Sequence, residues 1–439
     1  MGSAAPAMPD GDWQAYGRTE HGDRYSPLRQ ITAQNAYRLE EAWRIRTGDL
    51  PTDNDPVELT NENTPLKANG MLYACTAHSK VLALDPDTGA EIWRFDPQIK
   101  TPVGTFKGFA HMTCRGVSYY DENAYVSRDG SPAPKVSDAG QAVAQACPRR
   151  LYLPTADARL IAINADNGKV CEGFANQGAI DLTTGIGPFT AGGYYSTSPV
   201  AVTRSLVIIG GHVTDNESTN EPSGVIRAYD VHDGRLVWNW DSNNPDDTKP
   251  LAPGKMYSRN SANMWSLASV DEDLGMVYLP LGNQTPDQWG ADRTPGAEKY
   301  SAGVVALDLA TGKARWNYQF THHDLWDMDV GSQPTLVHLK TQDGVKPAII
   351  VPTKQGSLYV LDRRDGTPIV PIREIPVPQG AVKGDHTAPT QARSDLNLLG
   401  PELTEQAMWG ATPFDQMLCR IQFRELRYEG PVSYTHLRA

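Results

Sequence analysis

One nonapeptide in the chain, THHDLWDMD, holds two histidines, three carboxylates and one tryptophan. As an extended strand, it would place His322 and Asp324 on one face and His323, Asp327 and Asp329 on the other. A His-His-Asp cluster is compatible with a transition-metal site, but zinc needs ligands fixed at tetrahedral spacing, and no matching second cluster occurs elsewhere in the sequence. The sequence therefore favours a polar loop between strands.

Composition indicates a protein made of many strands. The 439 residues include 39 Gly, 33 Pro, 10 Trp and 18 Tyr but only 8 Phe, and turn formers with amphipathic aromatics are typical of β proteins. The length fits two or three ordinary domains or one large repeat architecture. A formal net charge of -12 without a compensating Lys/Arg block argues against a nucleic-acid partner. A small neutral or polar substrate fits better.

The cysteine spacing, the N-terminal sequence and the lack of a long apolar run predict a soluble chain. Five cysteines without a CxxC pair predict neither a zinc ribbon nor a disulfide scaffold, although one disulfide, such as Cys114 with Cys147, is compatible with an oxidising compartment. The opening MGSAAPAMPDGDW lacks the basic region and apolar core of a signal peptide. No apolar run approaches the length needed to span a bilayer.

Five segments share one form, in which a short apolar run is followed by Asp or Asn, a turn with Gly, and often a Trp. They are VLALDPDTGAEIW (81–93), LIAINADNGKVC (160–171), VIRAYDVHDGRLVW (225–238), VVALDLATGKARW (304–316) and LYVLDRRDGTPI (358–369). Each predicts a β-hairpin whose Gly supplies the positive φ of the turn. We expect Trp93, Trp238 and Trp316 to pack between neighbouring repeats.

The spacing of these repeats indicates a propeller with long insertions. Their turn glycines are 54 to 79 residues apart, which exceeds the roughly 40–50 residues of a four-stranded blade. Insertions gathered on one face can build a binding site. A β-propeller with about one blade per repeat uses such units, because radial packing buries both faces of each sheet. An irregular β-sandwich is the alternative.

Several stretches resemble the quinoprotein dehydrogenases, which hold pyrroloquinoline quinone (PQQ) in an eight-bladed propeller. The resemblance is closest to the membrane-bound glucose dehydrogenase branch, whose near relatives oxidise quinate and shikimate. It rests on DWQAYGRTEHGDRYSPLRQIT (12–32), HMTCRGVSYY (111–120), GHVTDNESTNEPSGVIRAYD (211–230), LPLGNQTPDQWG (279–290), HHDLWDMD, KQGSLYVLDRRDG (354–366) and MWGATPFDQMLCRIQFRELRYEG (408–430), together with the repeated turns. It implies an all-β propeller domain over 12–430, after a disordered segment 1–11 and before a non-family tail 431–439.

The resemblance implies that Asp327, directly after the Trp of HDLWD, is the general base. Oxidising an alcohol or hemiacetal requires a base for the hydroxyl proton while hydride leaves the carbon for the quinone. A divalent cation, Ca²⁺ or alternatively Mg²⁺, would keep that carboxylate ionised and polarise the quinone. The implied metal ligands are Asp327, Asn283 and, from VTDN, Asp215 or Asn216, residues that otherwise are ordinary in turns.

Four further residues match positions at which the family contacts the cofactor. Trp265 corresponds to the aromatic floor beneath the flat ring system. Arg115 and Lys354 correspond to cations that bind cofactor oxygens and carboxylates. Soluble alcohol dehydrogenases of the family place a disulfide of adjacent cysteines over the cofactor, whereas this chain has no adjacent Cys pair and offers His111 as the opposite lid. That difference supports the glucose dehydrogenase branch.

The implied function is oxidation of the anomeric hydroxyl of an aldose, D-glucose to gluconolactone, with electrons passed to ubiquinone. The implied location is the periplasmic side of the bacterial inner membrane, with membrane association only through an N-terminal anchor that this chain does not carry. One alternative is a quinate or shikimate dehydrogenase, whose rim would present cations to the substrate carboxylate. A non-catalytic propeller scaffold, as in outer-membrane assembly factors, is the other. The joint presence of Asp327, Asn283, Lys354 and Trp265 favours an enzyme.

The number of repeats predicts an incomplete ring. Five complete signatures occur, with an additional opening strand around Trp43, whereas the family's ring has eight blades. A ring without its C-terminal blades exposes two unprotected faces. The resemblance thus predicts a truncated enzyme that is inactive as the isolated chain.

Overall fold

The protein, described by a computed structural model over residues 8–124, 137–400 and 403–425, folds into successive antiparallel sheets. Four sheets have four strands, and a fifth has three. In chain order their strands are β2 Leu66–Ala68, β3 Met71–Cys75, β4 Val81–Leu84 and β5 Glu91–Phe95; β7 Ser118–Asp121, β8 Arg149–Pro154, β9 Arg159–Asn164 and β10 Ala179–Asp181; β12 Ala201–Val202, β13 Leu206–Ile209, β15 Ile226–Asp230 and β16 Leu236–Trp240; β17 Ser269–Asp271, β18 Met276–Pro280, β19 Gly303–Asp308 and β20 Ala314–Gln319; and β21 Thr335–Thr341, β22 Gly344–Pro352 and β23 Leu358–Asp362.

Three two-stranded pairs and a few short helices complete the described structure. The pairs are β1 Glu58–Leu59 with β6 His111–Met112, β11 Tyr194–Tyr195 with β14 His212–Val213, and β24 Ile372–Pro376 with β25 Thr390–Ser394. The helices are α1 Asp138–Ala146, α2 Pro295–Tyr300 and α3 Pro413–Glu425, with 3₁₀ turns at Ala36–Arg38 and Glu405–Ala407. Within the described ranges, no helix has the length and hydrophobicity needed to cross a bilayer. The predicted all-β class is confirmed.

All five predicted turns are present, and their glycines adopt the left-handed backbone conformation. The φ angles of Gly89, Gly168, Gly234, Gly312 and Gly366 lie between 70° and 78°, a region that other residues rarely adopt. The preceding Asp stabilises the turn: Asp308 Oδ1 accepts the N–H of Thr311 at 3.0 Å, and its backbone oxygen accepts the N–H of Gly312 at 2.8 Å. Local sequence therefore determines each hairpin.

The recurring tryptophans bind the turn of the following repeat, as predicted. Trp238 is fully buried, and its Nε1 donates to the carbonyl oxygen of Leu309 at 2.8 Å. Its ring covers Gly312, where an added Cβ would come within 2.7 Å of the ring. Equivalent contacts join Trp43 to Gly89, Trp93 to Gly168 and Trp316 to Gly366. Each tryptophan therefore fixes the position of one sheet against the next.

Side chains of each inner strand alternate between two cores. In β13, Val207 and Ile209 belong to the core shared with the second sheet, whereas Leu206 and Ile208 belong to the core shared with the fourth. This is the two-residue period of a strand buried on both faces. Four such cores lie between the five sheets, which is the predicted radial packing. The described residues hold five sheets of this kind, and the incomplete ring stays a prediction.

Most of the long connections lie at one end of the sheets. In an antiparallel meander, the loops before the first strand, between the second and third, and after the fourth open at the same end. The turns at the other end are short, such as the one between β19 and β20, except in the second sheet, where longer connections follow β7 and β9. The end with the long loops carries Arg115, Asp215, Trp265, Asn283, Asp327 and Lys354. The fold therefore brings the predicted site residues to a common face.

The pairing of Cys114 with Cys147, which the sequence offered as one compatible disulfide, does not form. Cys114 instead forms a disulfide with Cys75, and Cys147 forms one with Cys171. Cys147 precedes β8 and Cys171 follows β9, and because these strands are hydrogen-bonded neighbours, their ends meet. Residues 1–7 of the predicted disordered segment 1–11 lie outside the described residues. The whole of the predicted tail 431–439 also lies outside them.

Candidate active site

The loop that follows β20 contains THHDLWDMD, and Asp324 organises it. The Asp324 side chain is buried; its Oδ1 accepts the N–H of Trp326 at 2.9 Å and its Oδ2 accepts that of Met328 at 2.6 Å. Such side-chain to backbone bonds close a turn two to four residues long. Asp327 lies within this turn at a φ of 56°, a conformation that Asp tolerates. The predicted polar loop is confirmed, and Asp324 holds Asp327 in place.

Asp324 also fixes Asn283, which lies in the loop after β18. Asn283 is buried, and its Nδ2 donates to Asp324 Oδ2 at 2.8 Å. Because the amide nitrogen of Asn283 donates to Asp324, the remaining polar atom of this side chain is its carbonyl oxygen, an acceptor. That atom, Oδ1, is buried and finds no hydrogen-bond partner in the described part of the chain. A buried acceptor without a donor suits a hard cation.

Several carboxylates crowd the same region. Burial raises the pKa of Asp215, and the charge of Asp327 raises it further. Burial and the charges of Asp215 and Asp329 raise the pKa of Asp287 to about 9. Burial, together with Asp327, raises the pKa of Asp329 to about 7 despite the opposing charge of Lys354. A divalent cation among these groups would relieve both their desolvation and their mutual repulsion.

Lys354 neutralises part of this charge. Its Nζ lies 2.9 Å from Asp327 Oδ1 and 2.6 Å from Asp329 Oδ1, and it also donates to the backbone oxygen of Asp327 at 3.0 Å. Burial alone would lower the pKa of Lys354, but these two carboxylates raise it above its usual value. Lys354 therefore stays charged and joins the loop after β22 to the loop after β20.

Trp265 lies next to the same group and is held on two sides. Its Nε1 donates to Asp329 Oδ2 at 2.6 Å, and its ring lies against Gly331, where an added Cβ would come within 2.6 Å of the ring. Two cations approach the ring: Arg115 Cζ is 5.5 Å and Lys354 Nζ is 5.6 Å from its centroid. The structure thus brings together the predicted aromatic floor and both predicted cations.

Arg115 retains an unused donor. Its Nε pairs with Glu62 Oε2 at 2.7 Å, whereas its Nη1 is buried without a hydrogen-bond partner among the described residues. A cavity of about 320 Å³ lies beside Arg115 and Trp265, with Ser198 and Gly331 in its wall. An arginine that lines a cavity and keeps an unpaired donor fits an anionic ligand.

The structure separates the two residues of the VTDN pair. The charges of Asp327, Lys354 and His111 all act on Asp215, so Asp215 belongs to the carboxylate group. Both residues are exposed, but Asn216 Oδ1 accepts the N–H of Gln288 at 3.1 Å. That bond engages the oxygen of Asn216 with the loop after β18.

His111 lies on β6, at the edge of this group. Its ring is half-buried and is 5.5 Å from the ring of His212. His111 is among the charged groups that act on Asp215. The predicted lid is therefore close to the other residues of the site.

A family model, "PQQ: glucose/ethanol/alcohol dehydrogenase, β-propeller domain", matches residues 13–438. The chain belongs to this family. It is 48% identical over 434 residues to quinoprotein glucose dehydrogenase A of Acinetobacter calcoaceticus, covering 97% of this chain and 53% of that protein. It is 39% identical to quinate/shikimate dehydrogenase (quinone) of Acinetobacter baylyi, covering 97% of this chain and 52% of that protein. The chain thus spans about half the length of these curated relatives.

The predicted quinoprotein propeller is confirmed by a solved structure as well. Quinohemoprotein alcohol dehydrogenase from Comamonas testosteroni superimposes with a TM-score of 0.62 at 26% identity, covering 88% of this chain and 52% of that one. The resemblance to the glucose dehydrogenase branch, which rested on separate short stretches, extends over nearly the whole chain.

Three site residues of this quinoprotein domain were missed by sequence reasoning. Asp324 shapes the loop, Asp329 joins Lys354 to Trp265, and Asp287 completes the carboxylate group. For Asp324, a signal was present: Asp often accepts the backbone N–H two residues on. No local signal distinguishes Asp287 or Asp329 from an ordinary loop carboxylate.

Proposed function

We propose that the chain is the catalytic propeller of a PQQ-dependent dehydrogenase that oxidises the anomeric hydroxyl of an aldose, such as D-glucose, to the lactone. One observation carries this proposal. Asp324 simultaneously fixes the loop that presents Asp327 and leaves Oδ1 of Asn283 buried and free. A structural scaffold has no need for an unsatisfied oxygen beside a group of repelling carboxylates.

The residues present fit both groups that this chemistry requires. Asn283, Asp215 and Asp327 offer oxygens to a divalent cation, with Ca²⁺ as the first candidate and Mg²⁺ as the second. Since Asn216 already accepts a bond from Gln288, we assign the VTDN ligand to Asp215. When bound, PQQ supplies a two-electron acceptor and the cation a Lewis acid.

The cofactor contacts would come from the neighbouring side chains. Trp265, fixed by Asp329 and Gly331, offers stacking area for a flat ring system. Arg115 brings an unpaired Nη1 and Lys354 a permanent charge for the cofactor's carboxylates and oxygens. His111 would close the site from the opposite side.

The proton of the substrate hydroxyl passes to Asp327. Its carboxylate is partly exposed and in contact with Lys354, whereas Asp329 is almost fully buried and engaged by both Trp265 and Lys354. Asp327 is therefore the carboxylate that a substrate can reach. As the proton leaves, the carbon gives up hydride and becomes the lactone carbonyl.

We further propose ubiquinone as the electron acceptor and the periplasmic side of the bacterial inner membrane as the location. The two disulfides, Cys75–Cys114 and Cys147–Cys171, support an oxidising compartment. Membrane association is expected through a segment outside the residues described. The greater identity to a glucose dehydrogenase than to a quinate/shikimate dehydrogenase, 48% against 39%, supports an aldose substrate.

The test is substrate-dependent dye reduction by the protein loaded with PQQ and Ca²⁺. Glucose, quinate and glycerol are compared in parallel at matched concentrations. We expect the highest kcat/KM for glucose. Turnover of quinate with none of glucose would contradict the proposed substrate, and PQQ that fails to bind would contradict the proposed function.

Asn283→Ala is expected to raise the Ca²⁺ concentration needed for half-maximal binding by about tenfold or more, because a hard cation loses one oxygen ligand. A Ca²⁺ titration followed by calorimetry measures this directly. Asn244→Ala, which removes an exposed Asn, is the matched control and should leave the titration unchanged. A wild-type titration for Asn283→Ala would place the cation elsewhere.

A further inference from the structure

His323, the second histidine of THHDLWDMD, meets two residues that lie 62 and 63 positions later. The connection between β24 and β25 brings Asp385 and His386 against it: His323 Nε2 is 2.9 Å from Asp385 Oδ1, and the rings of His323 and His386 stack with centroids 3.8 Å apart. His386 Nδ1 is 3.8 Å from the same carboxylate oxygen. The sequence alone did not reveal these two residues as partners of His323, because they are distant from it along the chain.

These three residues can direct their ligand atoms to one point. Among the residues that the structure describes, they are the group of His, Cys, Asp and Glu side chains whose ligand atoms all lie within 4.8 Å of one another. Two imidazole nitrogens and one carboxylate oxygen are the ligands that first-row transition metals prefer. The carboxylates and amide around Asn283 instead form an all-oxygen set.

An outer group of contacts orients the proposed ligands, and this is the second observation. His323 Nδ1 is 2.8 Å from Glu298 Oε1, so the carboxylate holds the ring and leaves Nε2 on the side of Asp385. Asp385 Oδ2 accepts the N–H of Gly290 at 2.7 Å and its Oδ1 accepts the N–H of His386 at 2.8 Å, so two backbone donors fix the carboxylate with Oδ1 facing His323. A carboxylate behind a histidine and a backbone donor behind a carboxylate are characteristic supports of metal sites.

We propose that His323, Asp385 and His386 bind a divalent transition-metal ion of the Zn²⁺ type, at a site separate from the cation of the proposed reaction. Water supplies the remaining position of a four-coordinate site. The ion joins two loops, those after β20 and β24, and the loop after β18 supports its ligands through Glu298 and Gly290. The loop after β20 also carries Asp327. Its role is to hold that loop, because no proposed ligand touches the carboxylate group of the active site.

The test uses the metal alone, without PQQ, so its outcome is independent of the proposed function. Chain freed of metal by chelation is supplied with excess Ca²⁺ and then titrated with Zn²⁺ in a calorimeter. We expect one tightly bound Zn²⁺ per chain and an affinity about tenfold or more lower in His386→Ala. Since the His386 side chain is 71% exposed, this substitution leaves the fold intact. His338→Ala, at an exposed histidine of β21, is the control.

A second measurement identifies the ligands. X-ray absorption at the zinc edge should show two imidazole nitrogens in the wild type and lose one of them in His386→Ala. Equal Zn²⁺ affinity in the wild type and His386→Ala would overturn the proposal, and Zn²⁺ lost only in Asn283→Ala would place the ion among the oxygen ligands instead. Absence of stoichiometric binding would leave His323 as a bridge of ion pairs and would overturn the proposal as well.

Discussion

Asp327→Asn is expected to lower kcat by about 10²–10⁴-fold, the usual contribution of a general base, while PQQ and Ca²⁺ still bind. The substitution keeps the shape and one oxygen of the side chain but removes its ability to take a proton. Asp324 still closes the turn through the N–H groups of Trp326 and Met328, so the side chain keeps its place. Lys354 retains Asp329 as an ion-pair partner.

The measurement combines dye reduction with glucose and cofactor titration by absorbance. Asp343→Asn is the matched control, because Asp343 is an exposed carboxylate in the hairpin between β21 and β22, paired only loosely with Lys346 at 3.8 Å. The control should retain the wild-type rate. A wild-type rate in Asp327→Asn with bound PQQ would show that another group takes the proton.

The repeats were predictable because each one is encoded within a few residues. Asp, Gly and Trp at fixed offsets specify the turn, its positive φ and the contact with the next sheet. The second repeat departs from this pattern. It ends at Cys171 instead of a Trp, and Phe174 and Ala175 cover Gly234 where a Trp would do so in the other repeats. The outer strand of that sheet, β10, comes later in the chain than the pattern indicates.

The disulfides could not be predicted in the same way. Spacing along the chain does not show which strands become neighbours, and Cys114 meets Cys75 from the preceding sheet although Cys147 is nearer in sequence. Two cysteines pair when the ends of their strands meet, as at Cys147 and Cys171. Pairing therefore follows from topology, which only the folded chain reveals.

The same limit applies to the site. Resemblance identified Asp327, Trp265 and Lys354, and the structure brings them together. It did not identify Asp324, since an aspartate in a loop is most simply explained as a turn residue. What distinguishes Asp324 is its bond to Asn283, a residue 41 positions away. A role that depends on a partner in another loop cannot be predicted from the local sequence.

Asp324→Ala is the substitution with the largest expected effect on the site as a whole. It leaves the N–H groups of Trp326 and Met328 and the amide of Asn283 without their acceptor. An unsatisfied buried donor costs about 1–3 kcal/mol. Since the amide of Asn283 is buried and the two N–H groups are partly buried, the free energy of unfolding should fall by about 2 kcal/mol or more. Once Asn283 is free to rotate, the Ca²⁺ affinity should also fall by about tenfold or more.

Urea unfolding without metal and Ca²⁺ titration separate these two effects. Asp365→Ala is the control, because Asp365 is an exposed turn residue whose Oδ1 accepts one N–H, that of Thr367 at 2.9 Å; its loss should cost about 1 kcal/mol or less and leave Ca²⁺ binding unchanged. In the Asn283→Ala background, Asp324→Ala should reduce Ca²⁺ affinity no further, because one ligand is lost only once. A full additional loss there would mean that Asp324 reaches the cation directly, whereas stability equal to that of Asp365→Ala would mean that the loop after β20 is held by other contacts.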